Sequence, residues 1–138
     1  MNDQLRQLIE DSVNLRRDSV RENELITELR KLEPSEALDV VKELMIRNAP
    51  CTFPAARRVL NHRRTANEFF VFALPQANPY SVQFVLDFGI AKLGLKKVIA
   101  AVSLLKATGQ KQFENVMYYL PRMVRPEDVP KLDALIDR

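Results

Sequence analysis

The sequence contains no tryptophan, one cysteine, one histidine and three glycines in 138 residues. Cys51, being alone, cannot close an intrachain disulfide, so no disulfide framework holds the chain together. There is no HExxH, no phosphate loop, no GxGxxG and no cysteine pair at zinc spacing. With the ligand sets for metals and nucleotides missing, neither a cofactor, a small-molecule substrate nor enzymatic activity is expected. The longest apolar stretch, Val98 to Leu105, is interrupted by Ser103. It falls far short of the roughly 20 residues that a membrane-spanning helix requires, and no membrane partner is expected. The opening Met1-Asn2-Asp3-Gln4 lacks the basic-then-apolar pattern of a signal peptide, which makes the cytoplasm the expected compartment. No segment alternates apolar and polar residues long enough for a strand, and the dominance of Leu, Ala, Val, Glu, Lys and Arg favours helix throughout.

What the chain does have is a helical phrase written three times. It runs Leu25, Leu29, Pro34, Ala37, Val40, Val41, Leu44, then Phe70, Leu74, Pro79, Val82, Val85, Leu86, then Val116, Leu120, Pro126, Val129, Leu132, Ile136. The first two copies are offset by 45 residues throughout; the second and third by 46 before the proline and 47 after it, a slip that one inserted loop residue accounts for. A period of about 40 to 47 residues suits HEAT or armadillo-like repeats, in which each unit buries its apolar face only against its neighbours. The expected fold is therefore all-α, a HEAT/armadillo-like stack of about nine short antiparallel helices joined by loops of two to six residues. At this length it reads as one helical domain, 1–138, with a capping helix over 1–20 and stacked units over 22–137.

Individual boundaries follow from local signals. An amphipathic helix runs from Asp3 to about Asp18, a second from about Glu22 to Leu32, and a third opens at Pro34-Ser35 and runs to about Arg47. Thr52 is positioned to cap a short fourth helix, and Thr65-Ala66-Asn67-Glu68 has capping-box spacing. The helix from Thr65, carrying Phe69, Phe70 and Phe72, is apolar around most of its circumference, so a central buried position is expected until it stops at Pro75. Phe70, Phe72 and Phe88 are expected in the core. Asn78-Pro79 opens the next helix, Gly94 ends it, and Leu95 to Thr108 follows, closed by Gly109. The last pair spans about Gln110 to Leu120 and Pro126 to Asp137, although Pro130 inside the latter argues for a start near Asp128 instead.

The formal charge of +3 conceals an asymmetry. Residues 1–50 hold eight Lys/Arg against eleven Asp/Glu, and residues 51–138 thirteen against seven. Two classes of partner follow. A protein partner would be steered by the acidic helices through Asp11, Asp18, Glu22 and Glu24, and anchored on the inter-helix turns by Tyr80, Arg122 and Arg125, a composition typical of binding hot spots. A nucleic acid would instead be held on phosphates by Arg57, Arg58, Arg63 and Arg64 with Lys96 and Lys97. The acidic first third and the modest net charge weigh against that alternative. His62 lies in the basic segment with no carboxylate near it in sequence, and Cys51 precedes a helix, where a thiolate would be favoured if it were exposed.

The helical layout, the Phe69-Phe70 helix ending in Leu74-Pro75, the Asn78-Pro79-Tyr80 opening, and Tyr119-Leu120-Pro121-Arg122 followed by Arg125-Pro126-Glu127-Asp128 are together similar to the compact HEAT-like immunity proteins of bacterial toxin systems, particularly those of contact-dependent growth inhibition. The resemblance implies a cytoplasmic protein that binds and neutralises one cognate toxin domain. It supplies no catalytic signature and assigns no site residue.

Overall fold

The computed structural model describes residues 2–136. Among the described residues the chain is all-α, with nine α-helices, two short 3-10 helices and no strand. The helices are α1 Asp3–Asn14, α2 Ser19–Arg30, α3 Pro34–Ile46, α4 Thr52–Val59, α5 Arg63–Ala73, α6 Val82–Leu93, α7 Leu95–Ala107, α8 Gln112–Met123 and α9 Val129–Ile136. The chain divides into two compact units, Met1–Phe69 and Phe70–Arg138, with the division falling inside α5.

In the first unit α1 packs on α2, α2 on both α3 and α4, and α3 on α4. Each helix start and stop has a local cause. The Asn2 side chain accepts from the Leu5 N–H at 2.7 Å and Asp18 accepts from the Arg21 N–H at 3.0 Å, satisfying amides that have no intrahelical partner. Pro34 sits in the first turn of α3, where its missing N–H costs no hydrogen bond. Helix α3 ends with Asn48 at φ 58, and the Ala49 and Asn48 amides bond back to Leu44 and Met45, so Asn takes the place usually given to Gly in this stop.

In the second unit α6 packs on α7 and α8, and α7 on α8 and α9, with the 3-10 helix Leu74–Gln76 set against α6 and α8. Contacts to the next helix and the next but one, seen for α2 with α4, α6 with α8 and α7 with α9, are those of helices stacked in succession. Gly94, at φ 91, both ends α6 and begins α7, a junction of one residue that a side chain would strain.

The threefold phrase corresponds to three helix–turn–helix segments, α2–α3, α5–α6 and α8–α9. Leu25, Leu29, Ala37, Val40, Val41, Leu44, Phe70, Leu74, Val82, Val85, Leu86, Val116, Leu120 and Leu132 are all buried, and Val129 is half-buried. Pro34 opens a helix, Pro126 a 3-10 helix, and Pro79 a turn.

Several local expectations are corrected. The capping box does not form, because α5 starts two residues earlier and the Thr65 hydroxyl donates instead to the His62 carbonyl at 3.0 Å. Thr52 is the first helical residue of α4, its hydroxyl donating back to Ala49 at 2.7 Å, and Cys51 holds the cap position. Helix α1 ends at Asn14, and α2 begins at Ser19 because Asp18 supplies the cap. Helix α6 starts at Val82, three residues beyond Pro79, because Asn78 folds the preceding residues into a turn. Helix α5 is not buried all round: Phe69 and Phe70 are, Phe72 is only half-buried and Val71 is exposed. The last helix begins just after Asp128, the second of the two starts considered; Asp137 lies outside the described residues, as does the side chain of Ile136.

The second copy of the phrase contains one compensation. Forty-five residues after Leu25 and Leu44 stand Phe70 and Gly89. A Cβ on Gly89 would fall 2.5 Å from Phe70 Cε2, 2.8 Å from its Cδ2 and 3.0 Å from Val98 Cγ2, so the larger ring occupies the space that a side chain at 89 would need. Alanine at this helical position gains about 1 kcal/mol of intrinsic propensity, while overpacking costs about 1–3 kcal/mol. With contacts this short the second effect is the larger. Gly89→Ala is therefore expected to lower the unfolding midpoint in urea, and Phe70→Leu added to it should recover part of the loss; a more stable Gly89→Ala protein would show that the ring can yield.

Candidate protein-binding edge

All three tyrosines of the chain fall in the second unit, around one turn and the end of one helix. The turn is built by Asn78. Its side-chain oxygen accepts from the Tyr80 and Ser81 amides, both at 2.8 Å, while the Ser81 hydroxyl accepts from the Asn78 amide at 3.0 Å. This reciprocal pairing fixes the backbone at Tyr80, whose side chain is 87% exposed, the most exposed large apolar residue described.

Helix α8 supplies the rest. Tyr119 donates its hydroxyl to the Pro79 carbonyl at 3.4 Å, a long bond that nonetheless brings the turn and α8 together. The Tyr118 and Tyr119 rings meet edge to face, with centroids 4.9 Å apart at 81°. The Arg122 guanidinium lies over the Tyr118 ring, 4.3 Å from its centroid, and donates to the Tyr118 carbonyl. Pro121 lies within α8 and gives no N–H to the helix. Tyr118 is exposed and Tyr119 half-buried, as adjacent helical residues pointing about 100° apart require. Pro79, Tyr119, Tyr118 and Arg122 are thus joined by successive contacts into one strip, and Tyr80 stands exposed on the turn that Tyr119 touches. Tyr118 and Tyr119 carry as much of that strip as the expected anchors do. Arg125 is exposed just beyond it, ahead of the 3-10 helix Pro126–Asp128.

The acidic candidates lie in the first unit and differ in how free they are. Glu22 is held by Arg17 through two bonds, 2.8 and 3.0 Å, and only 11% of its side chain is exposed. Asp18 caps α2; the Arg21 backbone N–H holds its carboxyl below the usual carboxylate range. Both therefore serve the α1–α2 connection. Asp11 accepts from Gln7 at 2.8 Å, and Glu24 is exposed beside a shallow groove lined by Gln4, Val20, Asn23, Thr27 and Glu28.

Among the basic candidates, Arg57, Arg58, Arg63 and Arg64 are exposed at the end of α4 and the start of α5. Arg58 donates to the Asn23 side chain at 2.7 Å and Arg64 faces Glu68 at 3.6 Å. Lys96 and Lys97, also exposed, open α7 in the other unit. Cys51 is buried, and burial pushes its thiol up, a hydrogen bond with Ser12 acting in the opposite direction. Burial thus disfavours the thiolate that a nucleophilic role requires. His62 is exposed. Among the described residues no group of three His, Cys, Asp or Glu could hold a metal ion, and no helix is long and apolar enough to cross a membrane.

No protein family, curated protein or solved structure matches the chain.

The carboxylates of the first unit give a pH prediction. Hydrogen bonding to Arg47, at 2.6 and 2.8 Å, lowers the pKa of Glu10, as the Arg21 amide lowers that of Asp18. A depressed folded pKa contributes stability that is present above the unfolded value and disappears as pH falls through the folded one. The thermal midpoint should fall below about pH 4, the ordinary carboxylate range. Glu10→Gln with Asp18→Asn, which keeps an acceptor at the cap, should flatten that decline.

Proposed function

We propose that this protein is a helical binding module that holds, and thereby neutralises, a cognate toxin domain. The observation that carries the reading is the ordered, solvent-facing strip of Tyr80, Tyr118 and Arg122. Tyrosine and arginine dominate binding hot spots because each contributes large contact area with a polar tip and loses little conformational freedom. Here the turn at Asn78 and the stacking of Arg122 on Tyr118 hold these groups in place before any partner arrives, which lowers the ordering cost of association. The neutralising role comes from the resemblance to helical immunity proteins.

Nucleic acid as the partner draws less support, since Arg58 and Arg64 already have partners within the first unit. No binding to duplex DNA or RNA is expected at ~50 mM salt, where phosphate contacts are strong. Salt-dependent binding lost on changing Arg57, Arg58, Arg63 and Arg64 to Ala would restore that reading.

The direct test is calorimetric titration with the C-terminal domain of the neighbouring upstream gene's product, where that gene encodes a large exported protein with a variable C-terminal domain. Tyr80→Ala and Arg122→Ala should each weaken the complex by about 2 kcal/mol or more, chiefly by faster dissociation. Glu24→Gln and Asp11→Asn should act mainly on the association rate, an effect that added salt removes. Absence of a complex at micromolar concentration would reject the toxin-neutralising role.

A further inference from the structure

Resting on the binding-module reading, we infer that the tyrosine strip of the second unit receives an acidic segment of its partner, with a carboxylate on Arg122 and a neighbouring apolar side chain over Tyr80 and Tyr118. Three observations select this chemistry. The first is charge: residues 70–138 hold nine Lys/Arg against six Asp/Glu, whereas residues 1–69 hold twelve of each, so the entire formal excess of +3 belongs to the unit that carries the strip. The second is the state of Arg122. Its contacts are the Tyr118 ring and the Tyr118 carbonyl, and no carboxylate among the described residues pairs with it or with Arg125. Nearby, Asp128 faces Lys131 at 3.9 Å. A guanidinium stacked on a ring keeps its in-plane donors at the edge, in the fork geometry that fits a carboxylate bidentately. The third is exposure: Tyr80 is 87% and Tyr118 59% exposed, on a backbone fixed by the Asn78 turn and by Tyr119 against Pro79. Rings held out in this way offer apolar surface beside the cation, whose charge opposes the approach of a basic side chain.

The chain provides its own reporter. Because it lacks tryptophan and all three tyrosines lie on this strip, intrinsic tyrosine emission reports on this edge alone. The experiment pans a random-peptide phage library on the full-length protein and titrates synthetic copies of recovered peptides that lack Tyr and Trp. The expected result is enrichment of Asp or Glu next to Leu, Ile or Pro, a change in tyrosine emission on binding, and affinity that falls with salt. Arg122→Gln should reduce that affinity about 30-fold, Arg122→Lys less because it keeps the charge but not the fork, and the exposed Tyr80→Ala about 10-fold, with circular dichroism unchanged. Recovery of basic or uncharged peptides, binding without a change in tyrosine emission, affinity indifferent to Arg122→Gln, or no enrichment at all would each overturn the inference. A complex with the upstream-encoded domain that survives Arg122→Gln and Tyr80→Ala would likewise reject the acidic strip while leaving the binding-module reading standing.

Discussion

Helices of 8 to 13 residues are too short to persist alone in water, and every α-helix among the described residues falls in that range. Their stability must come from burying one apolar face against another helix. That constraint explains why the same phrase of Leu, Val and Phe recurs: each copy supplies two successive helices and the turn between them. It also explains why the core is sensitive to volume. Phe70 and Gly89 stand at the positions of Leu25 and Leu44 in the first copy, and a methyl group at 89 would meet the ring at 2.5 Å. Repeats of this kind diverge in pairs, because a larger side chain is accommodated only where a facing position has become smaller.

A fold built this way leaves the turns as the places where sequence can vary without disturbing the core. The turn between α5 and α6 uses that freedom in a specific manner. Asn78 and Ser81 satisfy each other's backbone groups, so the turn is held by local bonds and Tyr80 is not needed for packing. A tyrosine 87% exposed on a fixed backbone contributes little to folding. Tyr118 is similar: its ring is covered on one face by Arg122 and yet remains open to solvent. Side chains whose order is maintained by neighbours and whose surface is left uncovered are those for which association, rather than stability, provides a physical reason.

Much of this was legible in the sequence wherever a signal acted over many residues. The threefold phrase pointed to the all-helical fold, and nearly every apolar residue within it is buried, because periodic apolar residues report a face irrespective of where the helix begins. Signals resting on one or two residues fared less well. Thr52 and Thr65 have hydroxyls suited to capping, but a hydroxyl can also donate to the carbonyl three residues back, and in both cases it does so. Pro79 could have opened a helix; the Asn78 side chain, which bonds the next two amides, set a turn there instead. The reason for Gly89 lies in a ring nineteen positions earlier, which no local signal in the sequence marks. Of the candidate site, Tyr80 lies on an inter-helix turn as the repeat implied, whereas Arg122, expected on the next turn, belongs to the last turn of α8, which continues through Pro121 to Met123; the contacts of Tyr118 and Tyr119 depended on ring geometry that spacing alone does not give.

The division of charge has a further consequence for how binding would proceed. Glu22 and Asp18 are committed to the α1–α2 connection, the first by a two-point contact with Arg17 and the second as a helix cap, so substituting either disturbs local structure as well as the surface. Glu24, exposed and outside those bonds, can influence encounter without that side effect. Arg122 differs again, because its charge is spread over a tyrosine face and its carbon stem is already ordered; little freedom remains to be lost when a carboxylate arrives. Under the proposed binding reading, long-range attraction would belong to the loosely held acids and short-range fixation to the stacked arginine, two roles that differ in salt dependence because screening acts over about 8–10 Å in solution but hardly at all across a contact from which water has been removed.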